Sequence, residues 1–303
     1  MEPGGNRGRL DVVNHTRGRP PPIVESMARR VGELMLIVCL ALSACTRPLG
    51  DESNADSTPR IWIITGGWFD HLRHADRAIA MRLFRQPPSI IVGTYHLRSG
   101  EMGRPAPKVI ATSYAYASFD VFRDVARNAS FVGGLDAVMY DPEGWSATPL
   151  DERRYPARFF ARFASLARQH VETVIITPHP NLMTVPGARC RSEGGESVYQ
   201  AYIRCGVMKA AARHGDLVEV QAQQLQSRPD EYRAFVIEAA AQARDANQEV
   251  QVIAGLTTVH ASPNQMFEAW SSVRDVVDGY YLSIRDGQEV ETALDFLRLL
   301  PRL

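Results

Sequence analysis

The chain has 303 residues, and its 34 Lys plus Arg balance 34 Asp plus Glu for a formal net charge of zero. With no basic run in the part expected to fold, the composition excludes a nucleic-acid surface built on charge. Hydrophobic residues at 45% and charged ones at 22% are ordinary for a globular domain.

Residues 1–26 are rich in Gly, Arg and Pro and precede a start-like Met27. They read as an over-extended start or a long leader region and are not expected to belong to the folded part. Arg29 and Arg30 then precede an apolar stretch, Leu34 to Ala44, that is too short for a transmembrane helix. It ends in Leu42-Ser43-Ala44-Cys45, which resembles a bacterial lipobox, so residues 27–44 are expected to be a lipoprotein signal peptide and Cys45 the lipidated residue. A core helix of this length is disfavoured, because residues 45–59 are polar and rich in Pro, Ser, Asp and Asn, as a tether is. The expected location is therefore extracytoplasmic, at the cell membrane through a lipid anchor.

From residue 60 to residue 303 short apolar runs with strand character recur at Ile61–Thr65, Ile90–Thr94, Val109–Ser113, Ala137–Asp141, Thr173–Thr177, Leu217–Gln221, Val250–Ala254 and Tyr280–Ile284. Helical patterns separate most of them: Phe159, Phe163 and Leu166 fall at i, i+4, i+7, as do Val290, Leu294 and Leu297. Ser262-Pro263-Asn264-Gln265 reads as a capping box with proline at the first helical position. Another helix is expected from Thr148-Pro149, with a break or restart at Pro156, and Tyr95 to Pro107 shows no helix. Eight strands with helical crossovers predict a single (β/α)8 barrel. An open doubly wound sheet is the alternative, but Gly66-Gly67-Trp68 lacks the spacing of a dinucleotide fingerprint, and no cofactor is expected.

Two cysteines lie in the part expected to fold, Cys190 and Cys205. In an exported chain they are expected to form a disulfide, which for a loop of about 15 residues is worth roughly 3 kcal/mol on the entropic model. A zinc pair is disfavoured because neither has a CxxC partner.

In a barrel the chemistry sits at the C-terminal ends of the strands. The densest candidate is Asp136-Ala137-Val138-Met139-Tyr140-Asp141-Pro142-Glu143-Gly144. Strand alternation puts Met139, Asp141 and Glu143 on one face and Tyr140 on the other. Neighbouring acids repel, so one is expected to keep a proton near neutral pH, as acid–base catalysis requires. Tyr95, Tyr114 and Trp145 are candidates to stack on sugar rings, and Gln221 and Gln223 to bind hydroxyls. The only lysines, Lys108 at a strand start and Lys209 in a helix, leave no place for a Schiff base.

This segment resembles the DxxDxDxE signature on the fourth strand of glycoside hydrolase family 18 barrels, the chitinase family. Asp136, Asp141 and Glu143 match its first, third and fourth acids, and Met139 replaces the second. Val220-Gln221-Ala222-Gln223-Gln224 is similar to the sixth-strand run VQFYN of plant-type members, and Ser283 stands where that group carries a tryptophan. The resemblance implies a glycan substrate, Glu143 as the general acid, and Asp141 orienting a 2-acetamido group that acts as nucleophile. Met139 removes the acid that partners the middle aspartate in that family.

Two other functions remain open. A carbohydrate-binding lipoprotein without turnover would use the same mouth. A metal-dependent hydrolase would use His96, His179 and His260, although the paired His-x-His of amidohydrolase barrels and HExxH are both absent and no metal is expected at the site.

Expressed from Met27 in a bacterial host, the protein should partition with membranes, and Cys45→Ala should release it. A Cys45→Ala protein that stays in the membrane fraction would exclude lipidation as the cause.

Overall fold

A computed structural model describes residues 60–84, 88–94, 111–127, 135–259 and 261–301. The leader, Cys45 and the tether lie outside them, as do Tyr95, His96 and His260. The described chain runs β1 (Ile61–Thr65), α1 (Gly66–Ala75), α2 (Arg77–Phe84), β2 (Ile90–Thr94), β3 (Ala111–Tyr116), α3 (Phe119–Arg127), β4 (Ala137–Tyr140), α4 (Leu150–Arg154), α5 (Pro156–Ala167) and β5 (Thr173–Ile176). It continues through α6 (Val198–Arg204), α7 (Val207–Ala212), β6 (Leu217–Val220), α8 (Pro229–Ala246), β7 (Gln251–Thr257), α9 (Pro263–Val273), β8 (Gly279–Ser283) and α10 (Val290–Leu299). All eight strands pair in parallel, in chain order, and β8 closes on β1, so the fold is a (β/α)8 barrel.

Strand alternation divides the core in two. Ile61, Ile63, Ile90, Val92, Ala137, Met139, Ile175, Leu217 and Ile253 fill the barrel interior. The intervening residues, including Trp62, Ile91, Val138, Tyr140, Val174, Ile176, Val218 and Leu282, pack under the helices. On α5 the stripe Phe159, Phe160, Phe163, Ala164 and Ala167 is buried. Phe163 stacks on Tyr140 at 4.8 Å between centroids and meets Phe122 at 4.5 Å. Truncating such an aromatic typically costs about 3–5 kcal/mol.

Local signals set the helix ends. Both reciprocal bonds of the Ser262–Gln265 capping box form at the start of α9. Pro156 ends α4 and restarts the chain as α5, because a proline costs nothing at a first helical position. Gly206 takes φ 62°, the left-handed turn that separates α6 from α7. Cys190 and Cys205 are joined by a disulfide with Cα atoms 5.9 Å apart. This ties the long loop after β5 to the end of α6.

At the N-terminal end of the barrel one device recurs three times. Asp136, Asp216 and Asp278 immediately precede β4, β6 and β8. Each carboxylate accepts the backbone N–H of the second residue of the preceding strand, from Thr112 at 2.8 Å, Val174 at 2.8 Å and Val252 at 2.7 Å. Each aspartate's own N–H donates to the carbonyl of that same residue. The resulting two-bond clamps set the start of strand pairing. Asp136, first acid of the family-like motif, is thus a clamp at the end of the barrel away from the chemistry.

Asp278 also accepts from Arg244 Nη2 at 3.1 Å. Asp278→Ala should therefore destabilise the fold by about 1–2 kcal/mol and lower the unfolding temperature by roughly 2–8 °C. Ligand affinity at the opposite end should not change. A thermal melt of the variant beside the parent checks this.

Candidate functional site

Asp141 follows the last residue of β4, and its N–H donates to Tyr116 O at 2.9 Å, so strand pairing carries it to the barrel mouth. Its Oδ1 accepts from Thr177 Oγ1 and from Gln221 Nε2, both at 2.8 Å. The second Gln221 N–H donates to Thr177 O at 2.7 Å. Both Gln221 amide hydrogens are therefore consumed, which leaves its oxygen as the group it can offer a ligand. Asp141 Oδ2 has no hydrogen-bond partner among the described residues.

The loop carrying Glu143 is pinned from four sides. Glu143 N donates to Thr148 Oγ1 at 2.9 Å, and that hydroxyl donates to Ala117 O at 2.7 Å. Gly144 N donates to Asn181 Oδ1 at 2.7 Å, and Gly144 O accepts from Arg153 Nη1 at 2.8 Å. A Cβ at position 144 would stand 2.6 Å from Asn181 O, so only glycine lets the two loops meet. Behind the loop, Glu152 is 1% exposed and fully partnered. It accepts from Ser118 Oγ, Phe119 N, Asp120 N and Tyr140 OH at 3.0, 2.7, 3.3 and 2.6 Å. One buried acid thus joins α4 to the first turn of α3 and to β4.

Electrostatically the mouth, among the described residues, is a cluster of carboxyl groups without a cation. None of Asp141, Glu143 or Glu219 forms an ion pair among the described residues. Burial raises the Glu143 pKa to about 8, helped by the charge of Asp141 and opposed by a hydrogen bond with Asn181. Burial also holds Asp141 above its ordinary value, against the opposing donors Thr177 and Gln221. Glu219, on β6 and 3% exposed, is pushed well above the carboxylate range by burial and by the Asp141 charge. Burial thus favours the protonated form of all three acids, and Asp141, with two donors on one oxygen, is the one whose charged form is best supported. Separate environments for neighbouring acids are what divides acid from base roles.

The structure brings Asp141, Glu143 and Gln221 together, and places Gln223 against Glu219 at 3.1 Å. Trp145, 58% exposed, lies on the Glu143 loop. Tyr114 is a correction. β3 runs on to Tyr116 instead of ending at Ser113, so Tyr114 faces the helices, 2% exposed, with its ring packed over Gly93. It cannot stack on a ligand. His179 caps a 3-10 turn, accepting from Asn181 N on Nδ1 at 3.0 Å, and burial lowers its pKa. Among the described residues no group of three His, Cys, Asp or Glu could hold a metal ion.

Sequence reasoning missed Thr177, Asn181, Glu219 and Tyr281. Tyr281 faces the interior from β8, with its hydroxyl 3.2 Å from Thr65 Oγ1. Glu219 left a signal: in Leu217-Val218-Glu219-Val220-Gln221 an acid occupies an inward position of an otherwise apolar strand. Asn181 left none, since its role depends on where the β4 and β5 loops meet.

No family model matches the chain, and no curated protein does. Among solved structures the chain is similar to an alpha-L-fucosidase candidate from Bacteroides thetaiotaomicron (11% identity, 82% of this chain and 96% of that chain, TM-score 0.48). It is similar as well to a triosephosphate isomerase from Bartonella henselae (14% identity, 79% and 97%, TM-score 0.41). The PgaB (BpsB) glycoside hydrolase domain from Bordetella bronchiseptica matches at 8% identity over 80% and 99%, with a TM-score of 0.45. Proteins named for such different reactions share these values, so the likeness is of the barrel alone.

The raised Glu143 pKa has a stability consequence. Folded Glu143 holds its proton up to about pH 8, whereas an unperturbed glutamate loses it near 4.5. The fold therefore loses stability as pH rises between these values. Glu143→Gln should raise the unfolding temperature at about pH 9 and leave it unchanged at about pH 4. Equal gains at both pH values would show that Glu143 is not held protonated.

Proposed function

We propose that this barrel cleaves a glycosidic bond in an extracytoplasmic glycan, and that the protein is exported and tethered to the membrane through Cys45. The observation that carries the reading is a pair of buried carboxyl groups at the C-terminal end of β4, Glu143 with its pKa pushed up to about 8 and Asp141 with two donors on one oxygen.

In the proposed reaction Glu143 donates its proton to the glycosidic oxygen as the bond to the anomeric carbon breaks. Positive charge develops on the sugar, and Asp141 stabilises it through Oδ2, the oxygen not held by Thr177 and Gln221. If the substrate bears a 2-acetamido group, its carbonyl oxygen attacks the anomeric carbon from within the sugar while Asp141 accepts from the amide N–H. Water then opens the cyclic intermediate after giving its proton to Glu143, which restores the acid. Gln221 offers its oxygen to a substrate hydroxyl, and Trp145 offers an exposed ring face at the rim.

Binding without turnover is the second reading, and Met139 favours it. An inward residue one step below Asp141 is a thioether packed among aliphatic side chains, where the family resemblance implies an acid.

Glu143→Gln preserves shape and removes the proton donor. On a cleaved glycan it should lower kcat by about 10²–10⁴-fold while binding persists. The parent's activity should fall as pH rises through about 8, because the donor is then lost. EDTA should change nothing. Glycan affinity without cleavage, equal in parent and Glu143→Gln, would establish the binding reading. Activity lost to EDTA and restored by zinc would overturn both.

A further inference from the structure

One buried group at the mouth is unused by this scheme. In the β4–β5 ladder Tyr140 pairs with Ile176, and in the next ladder Ile176 pairs with Val218. The following residues, Asp141, Thr177 and Glu219, continue that row, one strand apart. Glu219 is 3% exposed. Its hydrogen bond among the described residues comes from Gln223 Nε2 at 3.1 Å. Room for this pair exists because β7 has a glycine opposite: a Cβ at Gly255 would stand 2.7 Å from Glu219 Oε1 and run into the Gln223 amide.

Nothing in the fold requires an acid here. The interior below it, with Met139, Ile175, Leu217 and Ile253, is apolar. A buried ion without a partner costs far more than a neutral group, so a lone carboxyl in this position keeps its proton. A well-packed apolar side chain would be the cheaper choice for stability. Retaining an acid, with a glycine to accommodate it, points to a task at the mouth.

We propose that Glu219 is a positioning residue of the site: held uncharged beside Thr177 and Asp141, it leaves the cluster's negative charge on Asp141 and fixes the Gln223 amide. This rests on the glycosidase reading for its effect on turnover, but not for its structural part. Ionisation of Glu219 would set a second charge near Asp141 and Glu143, against which Glu143 would hold its proton more tightly. Among the described residues the titratable groups within electrostatic range of Glu219 are Asp141 and Glu143 from β4 and its loop, Tyr281 from β8, and Tyr202 and Tyr232 from α6 and α8. Burial raises all three tyrosines, so they remain neutral across the range in which the acids titrate.

Three measurements on the folded, exported protein test this. Glu219→Leu should lower kcat tenfold or more while leaving the unfolding temperature equal or higher, a split that a merely structural acid would not produce. Glu219→Gln, neutral and able to hold Gln223, should recover most of that loss and keep the alkaline limb within about 0.3 pH units of the parent. A limb displaced by one unit or more toward acid would mean that Glu219 is ionised in the parent, and undamaged turnover in Glu219→Leu would mean that it positions nothing. Either result overturns the proposal.

If no glycan is cleaved, the glycosidase reading fails by itself, and carboxyl 13C titration decides the rest. Glu219 protonated and Asp141 ionised at pH 7 supports the assignment; an ionised Glu219 sinks it.

Discussion

Burying carboxyl groups with no cation beside them among the described residues is the constraint on which the barrel mouth depends. Water can no longer stabilise several negative charges there, and no guanidinium or ammonium replaces it among the described residues. The cluster must shed charge by binding protons, and the hydrogen-bond donors decide which group does not. Thr177 and Gln221 both point at one oxygen of Asp141. Glu143 has the weaker support of Asn181, and Glu219 that of Gln223. Three similar acids thus meet different surroundings, and the support for a charge differs among them.

That arrangement survives only if the backbone around it cannot shift. The β4 loop is held by Thr148, Asn181 and Arg153, and through Glu152 it is linked to Tyr140 and to the first turn of α3. Glu152 is as buried as Glu219 but accepts four hydrogen bonds. The contrast separates an acid whose partners explain its burial from one whose partners do not. At the opposite end, Asp136, Asp216 and Asp278 use their carboxylates to clamp strand pairing. Proximity to a catalytic-looking run in sequence therefore says little: Asp136 and Asp141 lie five residues apart and serve opposite ends of the barrel.

The family-like motif looks different in this light. Of its acids here, one is a clamp and two line the mouth, and the position of the missing one is filled by Met139 in the apolar interior. An uncharged carboxyl does stand near Asp141, but it comes from β6. Side chains converge on a barrel axis from every strand, so a group absent from one strand can be supplied by another two strands away.

The eight-strand order, the Ser262 cap, the restart at Pro156 and the inward facing of Met139 and Asp141 were legible in the chain, because each depends on periodicity or on residues within four positions of one another. The end of β3 was not. Tyr114, which reads as a mouth residue, belongs to a longer strand, and one extra step along a strand reverses the face a side chain presents. Equally illegible were the protonation states and the partners of Asp141, since Thr177 and Gln221 lie 36 and 80 residues away along the chain. Sequence by itself determined the barrel and the two acids that end its fourth strand. Tertiary structure alone decided which acid carries charge, because that choice depends on desolvation and on donors delivered by neighbouring strands, neither of which exists until the barrel closes.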